Sequence, residues 1–374
     1  MIPRLLETSL NKPFSKHKVL VILGARQTGK TTLIKKLLTE FEDSLYFTAD
    51  DPSVVASFSN FSLENLRLLI GKAKLICIDE AQRIPSVGLI AKLIHDELPD
   101  LRLILTGSSS LELTEGTYES LTGRKTEMIL FPVSWQEFSD DLGAMKAYQQ
   151  LDARLIYGMY PEVITNIGSE QESLKEITSS YLYKDLLAWK GIRKPRLLED
   201  LLRALALQLG QEVSINELSN LLGVGKDTIE SYIDLLEKAF IIFRLDPLSR
   251  NLPNEIKSFR KVYFCDNGIR NAILGNFLPL ENRQDKGQLW ENFMVSERIK
   301  KLKYTNDHAK SWFWRTTYQQ EIDYIEEKDG AFKAWEIKYN PKRKHKFHQA
   351  FIDAYQPKVM DVVHRENFLT WLIS

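Results

Sequence analysis

Two cysteines in 374 residues leave no disulfide framework to staple the fold, and a metal site built on cysteine is not expected. Both, Cys77 and Cys265, stand inside apolar strand-like runs. No stretch approaches the roughly 18 uninterrupted apolar residues of a spanning helix, so no membrane is expected as a partner. The start, Met1-Ile2-Pro3-Arg4, lacks the apolar core of a secretory signal, and a cytoplasmic protein is expected. Net charge is missing too: 50 basic side chains stand against 50 acidic ones, so nothing global draws the chain to nucleic acid. Internal repeats and low-complexity tracts are absent, which excludes solenoids and disordered arrays. What remains is a chain that is 44% hydrophobic, enough for real cores, and long enough for two or three domains.

Within that chain the run Val19-Leu20-Val21-Ile22-Leu23 leads directly into Gly24-Ala25-Arg26-Gln27-Thr28-Gly29-Lys30-Thr31-Thr32. An apolar strand feeding G-x-x-x-x-G-K-[ST] is a phosphate-binding loop: its backbone N–H groups face a polyphosphate, Lys30 reaches the β and γ phosphates, and the Thr31 hydroxyl ligates Mg²⁺. ATP and Mg²⁺ are therefore the expected ligands. A second apolar strand, Leu75-Ile76-Cys77-Ile78, ends in Asp79-Glu80 and reads as a Walker B strand. At the carboxyl edge of a parallel sheet, Asp79 holds Mg²⁺ through water and Glu80 orients or deprotonates the attacking water. A third strand, Leu101–Leu105, runs into Thr106-Gly107-Ser108-Ser109, where a polar sensor of the γ-phosphate belongs; Thr106 and Ser108 are the candidates. Helix signals follow each strand, the alternating order of a parallel, helix-covered α/β sheet.

From Trp135 to about Trp189 the pattern turns helical and aromatic, as expected of a helical lid over the nucleotide. Helices are then expected at Leu197–Leu209, Ile215–Leu222 and Thr228–Ala239, with a turn at Gly223-Val224-Gly225 and a β-rich stretch at Phe240–Phe243, the outline of a winged helix-turn-helix. Its last helix argues against DNA. Between Lys226 and Lys238 it carries Asp227, Glu230, Asp234 and Glu237, which a phosphate backbone repels.

Charge is unevenly spread: residues 251–374 hold 21 Lys/Arg against 16 Asp/Glu, with a basic run at Lys338, Lys342, Arg343, Lys344 and Lys346 that suits phosphate. Just before it, Glu321–Ile325 and Trp335–Tyr339 flank Lys328-Asp329-Gly330-Ala331, and Asp-Gly predicts a two-residue type I′ turn. That register places Asp323 opposite Glu336 and Glu321 opposite Lys338, all on one face. Facing carboxylates repel unless a cation lies between them, so Mg²⁺ or Mn²⁺ is expected there, with Lys338 positioning or activating water.

Taken together, Gly24–Thr32, Ile78–Gln82, Thr106–Ser109, Ser120–Arg124, Phe131–Phe138, Lys261–Gly268 and Trp314-Arg315 through Glu336-Ile337-Lys338 resemble a family. The chain is similar to the AAA-type ATPases of bacteria and archaea that carry a C-terminal domain of formerly unknown function with a restriction-endonuclease-like core. One departure is Gly158-Met159, where the family tends to have Gly-Gly before the aromatic and proline. The resemblance implies that Arg124 senses or stabilises the γ-phosphate, in its own subunit or across a subunit boundary. It also implies that Asp323 and Glu336-Ile337-Lys338 form a PD-(D/E)xK metal site. Such sites take another acid from a preceding helix, and here that is Glu291, with Glu297 in reserve. The expected organisation is an ATPase core with lid at 1–190, a winged helix at 191–250 and a nuclease-like α/β domain at 251–374. Two functions follow: an ATPase coupled to a nuclease-like domain acting on nucleic acid, or a nucleotide-controlled switch for a protein partner whose C-terminal domain no longer cuts. A homo-oligomer accords with either.

Overall fold

Five apolar or half-apolar runs become one parallel sheet in the computed structural model, which describes residues 2–10, 18–108, 121–179, 194–250, 259–342 and 346–373. These strands are β1 (Val19–Leu23), β2 (Ser44–Thr48), β3 (Leu75–Asp79), β4 (Arg102–Gly107) and β5 (Lys125–Ile129), in the order β2-β3-β4-β1-β5. β1 and β3 are buried along their whole length, as unbroken apolar strands covered on both faces must be. Helices Leu63–Ile70 and Val87–Glu97 seal one face through Leu66, Ile70, Ile90 and Ile94, packed on Val21, Leu23, Ile76 and Ile78. Chain order reverses at β1, which pairs with β4 on one side and β5 on the other. Ligands of open α/β sheets sit outside the carboxyl ends of strands at such a reversal. The phosphate-binding loop leaves β1 at that point.

The chain divides into two compact units, with residues 1–133 in the first and residues 134–237 and 241–374 in the second. That departs from the expected boundary at 190. The helices Trp135–Leu142, Leu151–Tyr157 and Glu170–Ile177, expected as a lid, belong to the second unit. Side-chain chemistry explains why. Asn267 donates to the Leu155 and Leu289 carbonyls, Asn271 to the Ile156 carbonyl at 2.7 Å, and Asp266 accepts from Met159 N at 2.6 Å. The Trp135 ring packs on Phe368 and Phe293, and the Trp135 backbone N–H donates to buried Glu297 at 2.6 Å. The Phe-Cys-Asp-Asn-Gly stretch is thus a clamp for this helical segment. Residues 180–193, which include Trp189, lie outside the described residues.

At the Gly158-Met159 departure only Gly158 takes a left-handed backbone, φ 73°, and Met159 does not need one. A Cβ at Gly158 would stand 2.0 Å from Asp266 Oδ1. Gly158→Ala is therefore expected to destabilise the second unit by about 2 kcal/mol or more, read as a lower thermal midpoint. A midpoint unchanged from wild type would contradict the clamp.

The second expected boundary, at 250, also falls inside one sheet. The strands β6 (Glu212–Val213), β7 (Ile242–Pro247), β8 (Arg260–Phe264), β9 (Lys310–Arg315), β10 (Glu321–Lys328), β11 (Ala331–Ile337) and β12 (Val359–Val363) run in the order β12-β11-β10-β9-β7-β8-β6. β7 pairs antiparallel with β8 and parallel with β9. Its second edge is satisfied by β9 instead of being left bare, so the helical module Pro195–Leu207, Ile215–Leu222 and Lys226–Lys238 shares a sheet with everything that follows. The hairpin register agrees with expectation: Lys328 faces Ala331 and Tyr324 faces Trp335, which sets Asp323 against Glu336. Asp329 and Gly330 both take positive φ, 51° and 73°, as a type I′ turn requires.

Candidate functional sites in the two units

Lys30 opens the helix Lys30–Leu38, so its side chain folds back under the loop that precedes it. Its Nζ donates to the Gly24 and Ala25 carbonyls at 2.8 and 2.9 Å, and Thr28 Oγ1 closes the same turn onto the Ala25 carbonyl. Burial lowers the Lys30 ammonium to about 8, against the pull of Glu80 and Asp79. A triphosphate in the loop would reverse that shift. Gln27 and Thr32 are exposed and Arg26 is half-buried, so within Gly24–Thr32 the buried polar side chains are Thr28 and Lys30.

Asp79, at the carboxyl end of β3, gathers the rest of the site. Thr31 Oγ1 and Tyr46 OH each donate to its Oδ2 at 2.7 Å, and Thr106 Oγ1 donates to its Oδ1. Burial works to raise the Asp79 carboxyl, but the bonds from Thr106, Thr31 and Tyr46 outweigh it, so the group stays below the usual carboxylate range and ionised. Thr31 Oγ1 and the Asp79 carboxylate form a hard-oxygen pair of the kind Mg²⁺ takes. Glu80 follows with left-handed backbone, φ 52°, and its Oε2 accepts from Gln82 Nε2 at 2.5 Å. Gln82 also donates to Ser108 Oγ at 3.2 Å, and Glu80 N to Thr106 Oγ1 at 3.2 Å. Thr106 thus touches Asp79 and the backbone of Glu80, while Ser108 is linked to Glu80 through Gln82.

Arg124 stands apart from this cluster. Its carbonyl accepts from Val19 N, so it lies at the amino end of the sheet, a full strand away from the loop after Leu23. Five strand residues span about 16 Å, more than an arginine can reach. Its guanidinium pairs with Asp96 at 2.8 Å on the surface. The expectation that Arg124 acts on its own subunit's γ-phosphate is thereby corrected.

In the second unit Glu291, Asp323 and Lys338 line a cleft of about 790 Å³ together with Glu212, Lys261, Arg315 and Glu321. Glu336 lies buried behind them. The helix Lys286–Tyr304 turns Glu291 toward the cleft and Glu297 away, where Glu297 holds Trp135 N and Lys300. The expected cation between Asp323 and Glu336 is an ammonium: Lys338 Nζ is 2.8 Å from Asp323 Oδ2 and 2.7 Å from Glu336 Oε2. A second one, Lys261 Nζ, is 3.2 Å from Glu291 Oε1, 2.5 Å from Glu321 Oε1 and 3.8 Å from Asp323 Oδ1. Burial and the Asp323 charge push Glu336 up to about 9, and burial pushes Glu291 up to about 7. For Asp323, burial acts upward but Lys261 and Lys338 outweigh it and hold the carboxyl low. Among the described residues, no group of three or more His, Cys, Asp and Glu side chains is disposed to hold a metal ion. The metal set expected from Glu291, Asp323 and Glu336 is therefore not assembled, because lysines occupy its interior. Of the basic run, Lys342 is exposed, while Arg343, Lys344 and His345 lie outside the described residues.

Three participants were not anticipated from sequence: Tyr46, Gln82 and Lys261. Tyr46 reaches Asp79 only because β2 pairs with β3, which spacing does not reveal. Lys261 left a trace: with Arg260 it heads the otherwise apolar Val262-Tyr263-Phe264-Cys265.

Residues 16–139 match the family described as "AAA domain", residues 148–279 "Domain of unknown function (DUF8612)" and residues 286–371 "Domain of unknown function (DUF4143)". The middle match runs through both 190 and 250, in keeping with the continuous second unit. An uncharacterized protein of Mycobacterium tuberculosis is 29% identical over 337 residues, covering 88% of this chain and 72% of its own length. An uncharacterized protein of Methanocaldococcus jannaschii is 24% identical over 335 residues, covering 83% and 72%. Among solved structures, the Walker-type ATPase PABY2304 of Pyrococcus abyssi superposes with a TM-score of 0.51 at 17% identity, over 73% of this chain and 96% of that one. No helix among the described residues is long and apolar enough to cross a membrane. With its loop, its Walker B acids and its parallel sheet, the first unit is an AAA-type ATPase domain of the P-loop fold.

Proposed function

We propose that the chain is a Mg²⁺-dependent ATPase whose nucleotide state controls a second unit of nuclease-like ancestry that binds and does not cut. The observation behind the ATPase mechanism is the convergence of Thr31, Tyr46 and Thr106 on one ionised carboxylate, Asp79, beside a loop already closed on Lys30. Lys30 and the loop amides hold the β and γ phosphates; Thr31 and Asp79 are the residues that would hold Mg²⁺, which supplies neutralisation of phosphate charge when bound. Glu80 orients the attacking water and takes its proton. Thr106 and Ser108, bonded to the acids or to Gln82, feel the loss of the γ-phosphate. Arg124 is left with a role only across a subunit boundary.

For the second unit, the helical module reads as a winged helix and the sheet β9–β12 as a nuclease-like core. Binding without cutting is supported by the Lys338 ammonium lodged between Asp323 and Glu336 and by the acidic helix Lys226–Lys238, whose Asp227 and Glu230 are exposed. That charge favours a protein partner over nucleic acid. The test is phosphate release by the full chain with Mg²⁺ and with EDTA, beside incubation of supercoiled and single-stranded DNA with Mg²⁺ or Mn²⁺, with and without ATP. Mg²⁺-dependent release, abolished by EDTA, with intact DNA is the expected pair of results. DNA cleavage that disappears in Lys338→Ala would establish an ATP-coupled nuclease instead.

A further inference from the structure

Lys261 is the most unusual side chain of the second unit: a lysine on β8, 2% exposed, whose ammonium meets Glu291 from a helix, Glu321 and Asp323 from β10, and the Phe313 ring at 5.7 Å. Fully buried lysines are rare unless paired, and this one is paired three times over. Tyr263, two residues on and on the same face, donates to Glu291 Oε1 at 2.8 Å and fixes that carboxylate toward the ammonium. Arg315 closes the far side, 3.3 Å from Glu321 and 3.5 Å from Glu212.

We propose that Lys261 is the fixed cation of this cleft: it stands where a divalent ion would have to stand, so the wild-type cleft takes no Mg²⁺ or Mn²⁺, and removing the ammonium converts it into a divalent-cation site. A divalent ion binds oxygens at about 2.0–2.6 Å and needs several carboxylates converging on one point. Glu291, Glu321 and Asp323 each turn an oxygen toward Lys261 Nζ, at 3.2, 2.5 and 3.8 Å; spaced by the ammonium they are not disposed to hold an ion, and they close on one only when it is removed. Ion and ammonium cannot share that place, since two cations a few ångströms apart in a buried site repel strongly. Lys338 engages the other oxygen of Asp323 and so fills the second approach. The step rests on the nuclease-like reading only for the choice of metal as probe.

The experiment is titration of the nucleotide-free full chain with Mn²⁺, following free ion by EPR, for wild type, Asp323→Asn, Lys261→Met and the double variant. Wild type and Asp323→Asn are expected to bind alike, any shared binding belonging to the first unit. Lys261→Met is expected to gain a site about 100-fold or more tighter than any wild type shows in this cleft, lost again in the double variant. Its thermal midpoint should rise with Mn²⁺ where that of wild type does not. Wild-type binding that Asp323→Asn removes would overturn the proposal, as would a folded Lys261→Met that gains nothing. If Lys261→Met does not fold, wild type against Asp323→Asn decides alone. Because occupancy is read instead of cleavage or turnover, failure here is distinguishable from failure of the proposed function.

Discussion

Lys30→Ala is expected to reduce ATP turnover by on the order of 10³-fold or more, to the background of the assay, while leaving the fold intact. The ammonium is already inside the loop, bonded to the Gly24 and Ala25 carbonyls, and its burial has drawn it down to about 8. A group held at that cost in solvation is poised for a partner of opposite charge, and a triphosphate supplies one that water cannot match. Alanine removes the charge that meets the developing negative charge between β and γ phosphates; it also frees two carbonyls that water can satisfy. The loss therefore falls on catalysis and nucleotide affinity, not on stability. Phosphate release at saturating ATP, with circular dichroism as the folding control, checks it. Hydrolysis undiminished in Lys30→Ala would mean that the loop is not the nucleotide site.

The same residues show why the first site was legible and the second only partly so. Everything proposed to hold phosphate is local: the loop, its lysine and Thr31 are contiguous, and Asp79-Glu80 closes an apolar strand whose parallel burial is written in its composition. The partners Tyr46 and Gln82 depend on which strand lies beside which and on which way a glutamine turns, and neither has a periodic signal. In the hairpin, turn chemistry set the register correctly, so the facing of Asp323 and Glu336 followed from Asp329-Gly330 alone. The identity of the cation between them did not follow, because Lys261 arrives from a strand more than fifty residues earlier in the chain. Domain limits failed for the same reason. The helices after Trp135 look like an independent layer until Asp266, Asn267 and Asn271, over a hundred residues later, claim their backbone groups. Arg124 was placed by resemblance, and parallel pairing of β1 with β5 moves it to the wrong end of the sheet for its own nucleotide.

Glu80→Gln should separate binding from hydrolysis. The side chains are isosteric, the left-handed backbone at φ 52° is unchanged in cost, and Gln82 can still bond the retained carbonyl oxygen, so the loop keeps its shape. Asp79, Thr31 and Lys30 are untouched, and ATP affinity is expected to stay within about twofold of wild type, because ground-state contacts to the phosphates do not involve residue 80. What disappears is the base. An amide cannot accept the proton of the attacking water, and general-base removal costs about 10²- to 10⁴-fold in rate. The variant should therefore trap ATP, visible as stoichiometric retention of labelled nucleotide through gel filtration, while phosphate release falls by that factor. The contrast with Asp79→Asn is informative: there the hydrogen bonds from Thr31, Tyr46 and Thr106 lose an ionised acceptor, so nucleotide affinity with Mg²⁺ should fall along with turnover. If Glu80→Gln turns over at the wild-type rate, the water is positioned by another group and the adjacency of the two acids on β3 has a purely structural meaning. If it loses affinity as Asp79→Asn does, Glu80 belongs to the metal site and the division of labour between the two carboxylates is wrong.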